Sequence, residues 1–128
     1  MLELNPDIVC AIIAAAREFQ AKEEVVIPER EFSPSDDWAL QVLADHAGDL
    51  SYREAKAVIE DLEPDQQASL VALMWVGRGD YEIEEWKDAM DMAQDELTER
   101  TADYLLATPL VADYLEEALA QFGYDCEA

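Results

Sequence analysis

Two pairs of acids are the residues of this 128-residue sequence whose types and spacing come nearest to chemistry: Glu60 with Glu63, and Glu85 with Asp88. On a helix, residues three apart lie on one face, one turn above the other. Two such pairs on facing helices would offer the oxygen ligands that a magnesium or manganese ion takes. The reaction they imply is metal-dependent hydrolysis of a nucleotide or another phosphoester. The match to that pattern is poor. With 31 Asp and Glu in the chain, pairs at this spacing arise by chance, and Glu63 stands at a helix break beside Pro64. A whole helix also separates the two pairs, whereas the chemistry needs them face to face.

Other chemistries find less support. Gly77-Arg78-Gly79-Asp80 followed by Glu85 resembles the second half of a calcium loop. In that register, however, Met74, Val76 and Arg78 fall where ligand oxygens belong, so a joint between two helices is the better reading. His46 is the only histidine, which excludes a histidine-rich zinc or di-iron centre by count. It more naturally closes a helix, where a cation complements the dipole. A cysteine nucleophile would need His46 beside Cys10 or Cys126, and the spacing does not show that. There is no glycine-rich phosphate loop, nucleophile elbow or dinucleotide fingerprint, so no cofactor is expected. The two cysteines sit at opposite ends of the chain and are expected to be reduced, buried or idle thiols.

Charge carries more information than any motif. Against the 31 acids stand 8 Lys and Arg, a formal net charge of -23, in a chain that is nonetheless 51% hydrophobic. A disordered acidic tail lacks the apolar content to bury a core, so this composition describes a folded domain coated with carboxylates. Such a field repels nucleic acid and anionic membranes and attracts basic proteins. Direct nucleic-acid binding and membrane binding are therefore not expected. The same acidity also serves a halophile simply to stay soluble, and charge alone does not separate the two uses.

The length suits one domain with one core over residues 1–128. The apolar stretch from Ile8 to Ala16 is too short to span a bilayer and has no positive segment before it, so a cytoplasmic protein is expected. The pattern predicts an all-α, compact single-domain bundle of about seven helices around a central helix near residues 64–76. Asn5-Pro6-Asp7 starts the first helix, which should run to about Glu24. The segment Val25 to Phe32 is the best candidate for a long loop. Ser33-Pro34 restarts a helix through Trp38, Val42 and Leu43 that stops near Gly48. Ser51-Tyr52-Arg53-Glu54 fits a capping box for the third helix. Pro64 opens the fourth, whose run from Leu70 to Val76 is apolar all round. Gly77 to Gly79 should end it, with Asp80 capping the next element.

From Asp80 to Glu99 the acids are Asp80, Glu82, Glu84, Glu85, Asp88, Asp91, Asp95, Glu96 and Glu99, against Lys87. The apolar residues Ile83, Trp86, Met90, Ala93 and Leu97 form a narrow seam on the same segment. A short helix near Thr101 to Ala107 should lead to Thr108-Pro109, a cap and first-turn pair. The last helix would then bury Val111, Tyr114, Leu115, Ala118 and Phe122 before Gly123. Trp38, Trp75 and Trp86 fall on apolar stripes and read as core. Trp86, with Met90 and Met92 nearby, also suits an aromatic anchor inside a charged rim.

The stretches LVALMWVGRGDYEIEEW and RTADYLLATPLVADYLEEALAQFGYDCE, together with LNPDIVCAIIAAAREF, resemble a family of small acidic proteobacterial proteins classed as a domain of unknown function. The resemblance covers most of the chain. It implies a bacterial cytoplasm rather than a halophile and transfers no functional site. The leading expectation is a non-enzymatic protein-binding or regulatory module. Its partner face would be Glu84, Glu85, Trp86, Asp88, Asp91 and Asp95, its partner a basic protein, and its sharpest form a nucleic-acid mimic. The alternative is the hydrolase with Glu60, Glu63, Glu85 and Asp88 as metal ligands. Oligomeric state is left open, although the seam near Ile83 could accept a second copy.

Overall fold

The computed structural model describes residues 4–20, 50–98, 101–108 and 110–126. Among the described residues there are six α-helices and no strand: α1 (Pro6–Gln20), α2 (Leu50–Glu60), α3 (Pro64–Arg78), α4 (Trp86–Asp95), α5 (Thr101–Ala107) and α6 (Val111–Gln121). A 3-10 turn, Ile83–Glu85, leads into α4. The all-α class is as expected, with six helices rather than about seven. The helix expected over residues 33–48, with Trp38 and His46, and the loop expected over residues 25–32 lie outside the described residues.

α3 is the centre of the bundle. Every residue from Ala68 to Val76 is buried. It packs chiefly against α6 and α4, while α1 packs against α2 and α6, and α2 against α5. Its start is the expected break at Pro64, with a capping box closed between Glu63 and Gln66. Gln67 donates its side-chain amide to the carbonyls of Ile59 and Leu62, at 3.2 Å each, so the end of α2 and the start of α3 are tied together. The helix runs to Arg78 and ends, as expected, within the stretch from Gly77 to Gly79, where the two glycines have different uses. A Cβ at Gly77 would overlap the backbone carbonyl oxygen of Tyr114 on α6, so the missing side chain is what lets α3 and α6 approach. The stop is Gly79, held at φ 96°, a left-handed conformation that favours glycine.

Several local expectations change, at Asp80 and Thr108 because a group of the preceding helix has taken the side chain. At the first helix the expectation holds: Asn5 accepts the Asp7 amide at 2.9 Å and Pro6 is the first helical residue. α2 already begins at Leu50, so Ser51 lies inside the helix and not at its cap. Asp80 does not cap the next element but pairs with Arg78 at 2.6 Å. Thr108 does not cap α6; its hydroxyl donates back to the Tyr104 carbonyl at 2.8 Å and closes α5. The residue at the start of α6 is Leu110, at φ 61° and with no side-chain cap.

α1 and α6 run antiparallel, and this corrects the reading of the cysteines. Arg17, late in α1, bonds Asp113 at 2.8 Å and Glu116 at 2.9 Å, early in α6. Cys10, one end of the same contact, therefore lies level with the residues just past α6, where it forms a disulfide with Cys126 across a Cα separation of 5.5 Å. The expected free thiols are paired because the fold returns the end of the chain to its beginning. A cross-link over 116 residues restricts the unfolded chain, an effect measured at about 2–4 kcal/mol in typical proteins. Among the described residues no helix is long and apolar enough to cross a membrane.

Candidate protein-binding face

Over its described residues the acidic segment folds as a short turn followed by a short helix that ends at Asp95. The turn starts with a capping box in which Glu85 accepts the Glu82 amide at 2.9 Å and Glu82 accepts in return. α4 then runs from Trp86 to Asp95 and buries only Ala89 and Ala93. Two alanines one turn apart let it lie close on α3 while the rest of its circumference stays outside. Ile83, Trp86, Met90 and Leu97 are half-buried, which is the narrow seam expected from the sequence.

Glu84, Glu85, Asp88, Asp91 and Asp95 are all exposed. The steps from 84 to 88, 91 and 95 are four, three and four residues, so these carboxylates form a stripe along one side of the turn and helix. One cation answers them within the segment: Lys87 lies 3.7 Å from Asp91, with side chains 90% and 61% exposed. A pair that open to water contributes about 0.5 kcal/mol or less, and the stripe keeps its field. Trp86 is half-buried on the other side of α4, the side of Ala89 and Ala93, with its ring edge-on to Phe122 at a centroid distance of 5.1 Å. Met90 is also partly covered and accepts the Ser69 hydroxyl at 3.5 Å, whereas Met92 is 42% exposed. Trp86 thus belongs half to the core and half to the surface.

The four candidate metal ligands are placed differently. Glu60 ends α2 and Asp88 is on α4, and both are exposed. Glu63 and Glu85 each serve as a member of a capping box. α2 packs on α1 and α5 while α4 packs on α3, and among the described residues no group of three or more His, Cys, Asp or Glu is placed to hold a metal ion.

A buried polar cluster was not anticipated. Asp103, on α5, accepts the Tyr52 hydroxyl at 2.5 Å and Lys56 at 3.3 Å, and its side chain is 3% exposed. Burial first, and then the bond to Asp103, push the Tyr52 phenol up to about 12. Burial works against the Lys56 charge, but the Asp103 carboxylate and the Tyr52 hydroxyl together outweigh it and raise the Lys56 pKa. Tyr52 is consequently a neutral donor at physiological pH and not a base. Next to it, Trp75 donates its indole N–H to the Tyr104 hydroxyl at 2.8 Å. The signals were present in the sequence: Tyr52 and Lys56 are four apart on one helix face, and Asp103 is the one acid in the otherwise uncharged run from Thr101 to Ala107. These bonds hold α2, α3 and α5 in place and leave the acidic stripe as the candidate surface.

The architecture defines an all-α domain with a buried central helix. Residues 52–124, more than half of the chain, match the family described as Protein of unknown function (DUF3775), and the chain belongs to that family. The matched residues take in α3 to α6 and nearly all of α2, and leave α1, Cys10 and Cys126 outside. No curated protein and no solved structure matches the chain.

Proposed function

We propose that this protein is a non-enzymatic binding or regulatory module that docks the face formed by Glu84, Glu85, Trp86, Asp88, Asp91 and Asp95 onto a basic protein. The observation that carries the reading is the exposed carboxylate stripe, answered within its own segment by Lys87 alone, on a helix that begins with the half-buried Trp86. A concentrated field of one sign steers a partner of the other sign, and an aromatic residue inside a charged rim supplies the apolar contact that keeps it bound. Nucleic-acid mimicry is the sharper form, with carboxylates on successive turns standing in for phosphates. The cytoplasmic setting belongs to the same proposal. A reducing compartment would keep Cys10 and Cys126 as thiols or cycle them between forms.

The hydrolase alternative has no gathered carboxylate set behind it among the described residues. The test of the leading reading is capture from a bacterial lysate on immobilised protein, eluted with a salt gradient. A basic protein should be retained and released at a defined salt step, because screening removes long-range attraction between exposed charges. Glu84→Lys combined with Asp88→Lys should abolish that retention while the helical circular dichroism is unchanged. Retention by the double variant equal to that of the native protein would remove this face from consideration. Release of the captured protein by a short DNA or RNA duplex would select mimicry.

A further inference from the structure

The disulfide joins cysteines that, like the whole of α1, lie outside the family-matched residues, and neither cysteine is fully buried. We propose that Cys10–Cys126 is a thiol–disulfide exchange site whose opening loosens the Phe122 contact with Trp86, so that the redox state regulates the acidic face. The regulatory meaning rests on the docking reading above, whereas the coupling from the disulfide to Trp86 does not.

The antiparallel contact of α1 with α6 is clamped at its two ends by different chemistry. At one end Arg17 bridges Asp113 and Glu116, which a reductant leaves intact. At the other, the covalent bond holds Cys126, three residues past the left-handed Gly123. The chain between is short. Tyr124 closes the end of α6 by donating its amide to the Leu119 carbonyl at 2.9 Å, and Gly123 donates to Ala120 at 3.0 Å. Phe122, the residue inside that closure, meets the Trp86 ring. Cutting the bond therefore removes the covalent hold from the end of the contact that carries Phe122, leaves its backbone closure, and keeps the end held by Arg17.

The reaction balances with a dithiol as reductant. Its thiolate attacks one sulfur of the pair and expels the other as a thiolate, giving a mixed disulfide. The second thiol of the reagent then displaces the first protein sulfur. Two electrons and two protons pass to the protein, Cys10 and Cys126 become thiols, and the reagent becomes a cyclic disulfide. Each cysteine keeps partial exposure, and attack on the sulfurs from that exposed side requires no unfolding of the core.

The test uses the full chain, with dithiothreitol as the dithiol. Alkylation and mass measurement count the free thiols, and the tryptophan indole N–H signals are followed by NMR, with Trp86→Phe identifying one of them. After reduction, two thiols should be alkylated, and the Trp86 signal should shift and exchange with solvent at least several-fold faster. The Trp75 signal, bonded to Tyr104 at the centre, should stay unchanged and so report an intact fold. Cys126→Ser should reproduce the Trp86 change with no reductant present. Three results would each overturn the proposal: a disulfide that resists dithiothreitol in the folded protein, a reduced protein whose Trp86 signal is unchanged, or loss of the Trp75 signal together with that of Trp86. The last would make the bond a staple of the whole fold. Failure to capture a basic partner would leave all these signals untouched and would count against the docking reading alone.

Discussion

Asp103 and Asp88 are the same side chain used in opposite ways. Asp103 lies inside the bundle with a hydroxyl on one oxygen and an ammonium on the other. Asp88 stands on α4 in a row of exposed carboxylates. The difference lies in what surrounds the helix. α5 is buried along its whole length, so an acid there must be neutralised and hydrogen-bonded or the fold does not form. α4 rests on two alanines, so its acids are free to keep their charge and their water. The interior uses charge to fix the positions of helices, and the rim uses it to project a field. If that division is right, substitutions in the two regions should differ in stability by several kcal/mol and in salt response by sign.

The largest effect is expected in the interior at Gly77. Gly77→Ala places a methyl group on the Tyr114 backbone oxygen, and neither helix can yield without moving the other. Overpacking of this kind costs about 3 kcal/mol or more, since backbone and not a flexible side chain must shift. Urea unfolding should show that loss as a lower midpoint at unchanged slope. Gly79→Ala, where there is open space and only the left-handed φ to resist, should cost about 1 kcal/mol. Equal costs at the two positions would mean that the close approach of α3 and α6 is not what Gly77 provides.

Asp103→Ala comes next. It leaves the Tyr52 hydroxyl and the Lys56 ammonium without the carboxylate that now satisfies both. Losing one member of a buried pair costs 3–5 kcal/mol when both members are fully enclosed, and Lys56 keeps 30% exposure. About 2–3 kcal/mol is therefore expected by the same measurement. Lys56→Met should cost less than Asp103→Ala. An aspartate substitution as mild as those on the rim would erase the comparison.

Much of this interior was legible before the structure. The apolar run of α3, the start at Asn5-Pro6, the short α5 and the seam on α4 all follow from periodicity and capping chemistry, which act between residues close in sequence. What was missed depends on residues far apart. Cys10 and Cys126 pair because α1 and α6 are antiparallel, and neither spacing nor composition shows that direction. Asp103 meets Tyr52 across two helices. The stop within Gly77 to Gly79 was legible, whereas the close neighbour of Gly77, Tyr114, is named only by the packing. Thr108 and Asp80 have the residue type and position of caps for the next element, yet each instead bonds backward to the element it ends. The acidic rim was legible in composition and exposed in fact, and so was the double character of Trp86, but its partner Phe122 was not.

The alkaline limb of stability tests whether the interior charge is as described. Tyr52 ionises near 10 when unfolded and at about 12 in the fold, so the folded state holds its proton more tightly. A group with a raised folded pKa contributes its full stabilisation below the unfolded value and loses it as pH rises through the folded one. Stability should therefore be flat in this respect up to pH 10 and fall between 10 and about 12. Lys56, also raised, shifts in the same direction. Tyr52→Phe should make the fall shallower, as followed by unfolding at a series of pH values. A fall that begins well below about pH 9 would place the ionisation elsewhere.

The smallest effect on stability belongs to the rim and has the opposite sign. Glu84→Gln with Asp88→Asn and Asp95→Asn removes three exposed charges from a chain whose net charge is -23. None of the three side chains has an ion-pair partner among the described residues, so nothing specific is lost. What is relieved is mutual repulsion. Exposed substitutions of this kind change stability by about 0.5 kcal/mol or less, here toward greater stability in low salt. Added sodium chloride should stabilise the native protein more than the triple variant, because screening relieves repulsion only where the charges remain. Thermal unfolding at low and high salt separates the cases. A triple variant that is clearly less stable than the native protein would show that these acids hold the fold together, and the rim would then be an extension of the interior rather than its counterpart.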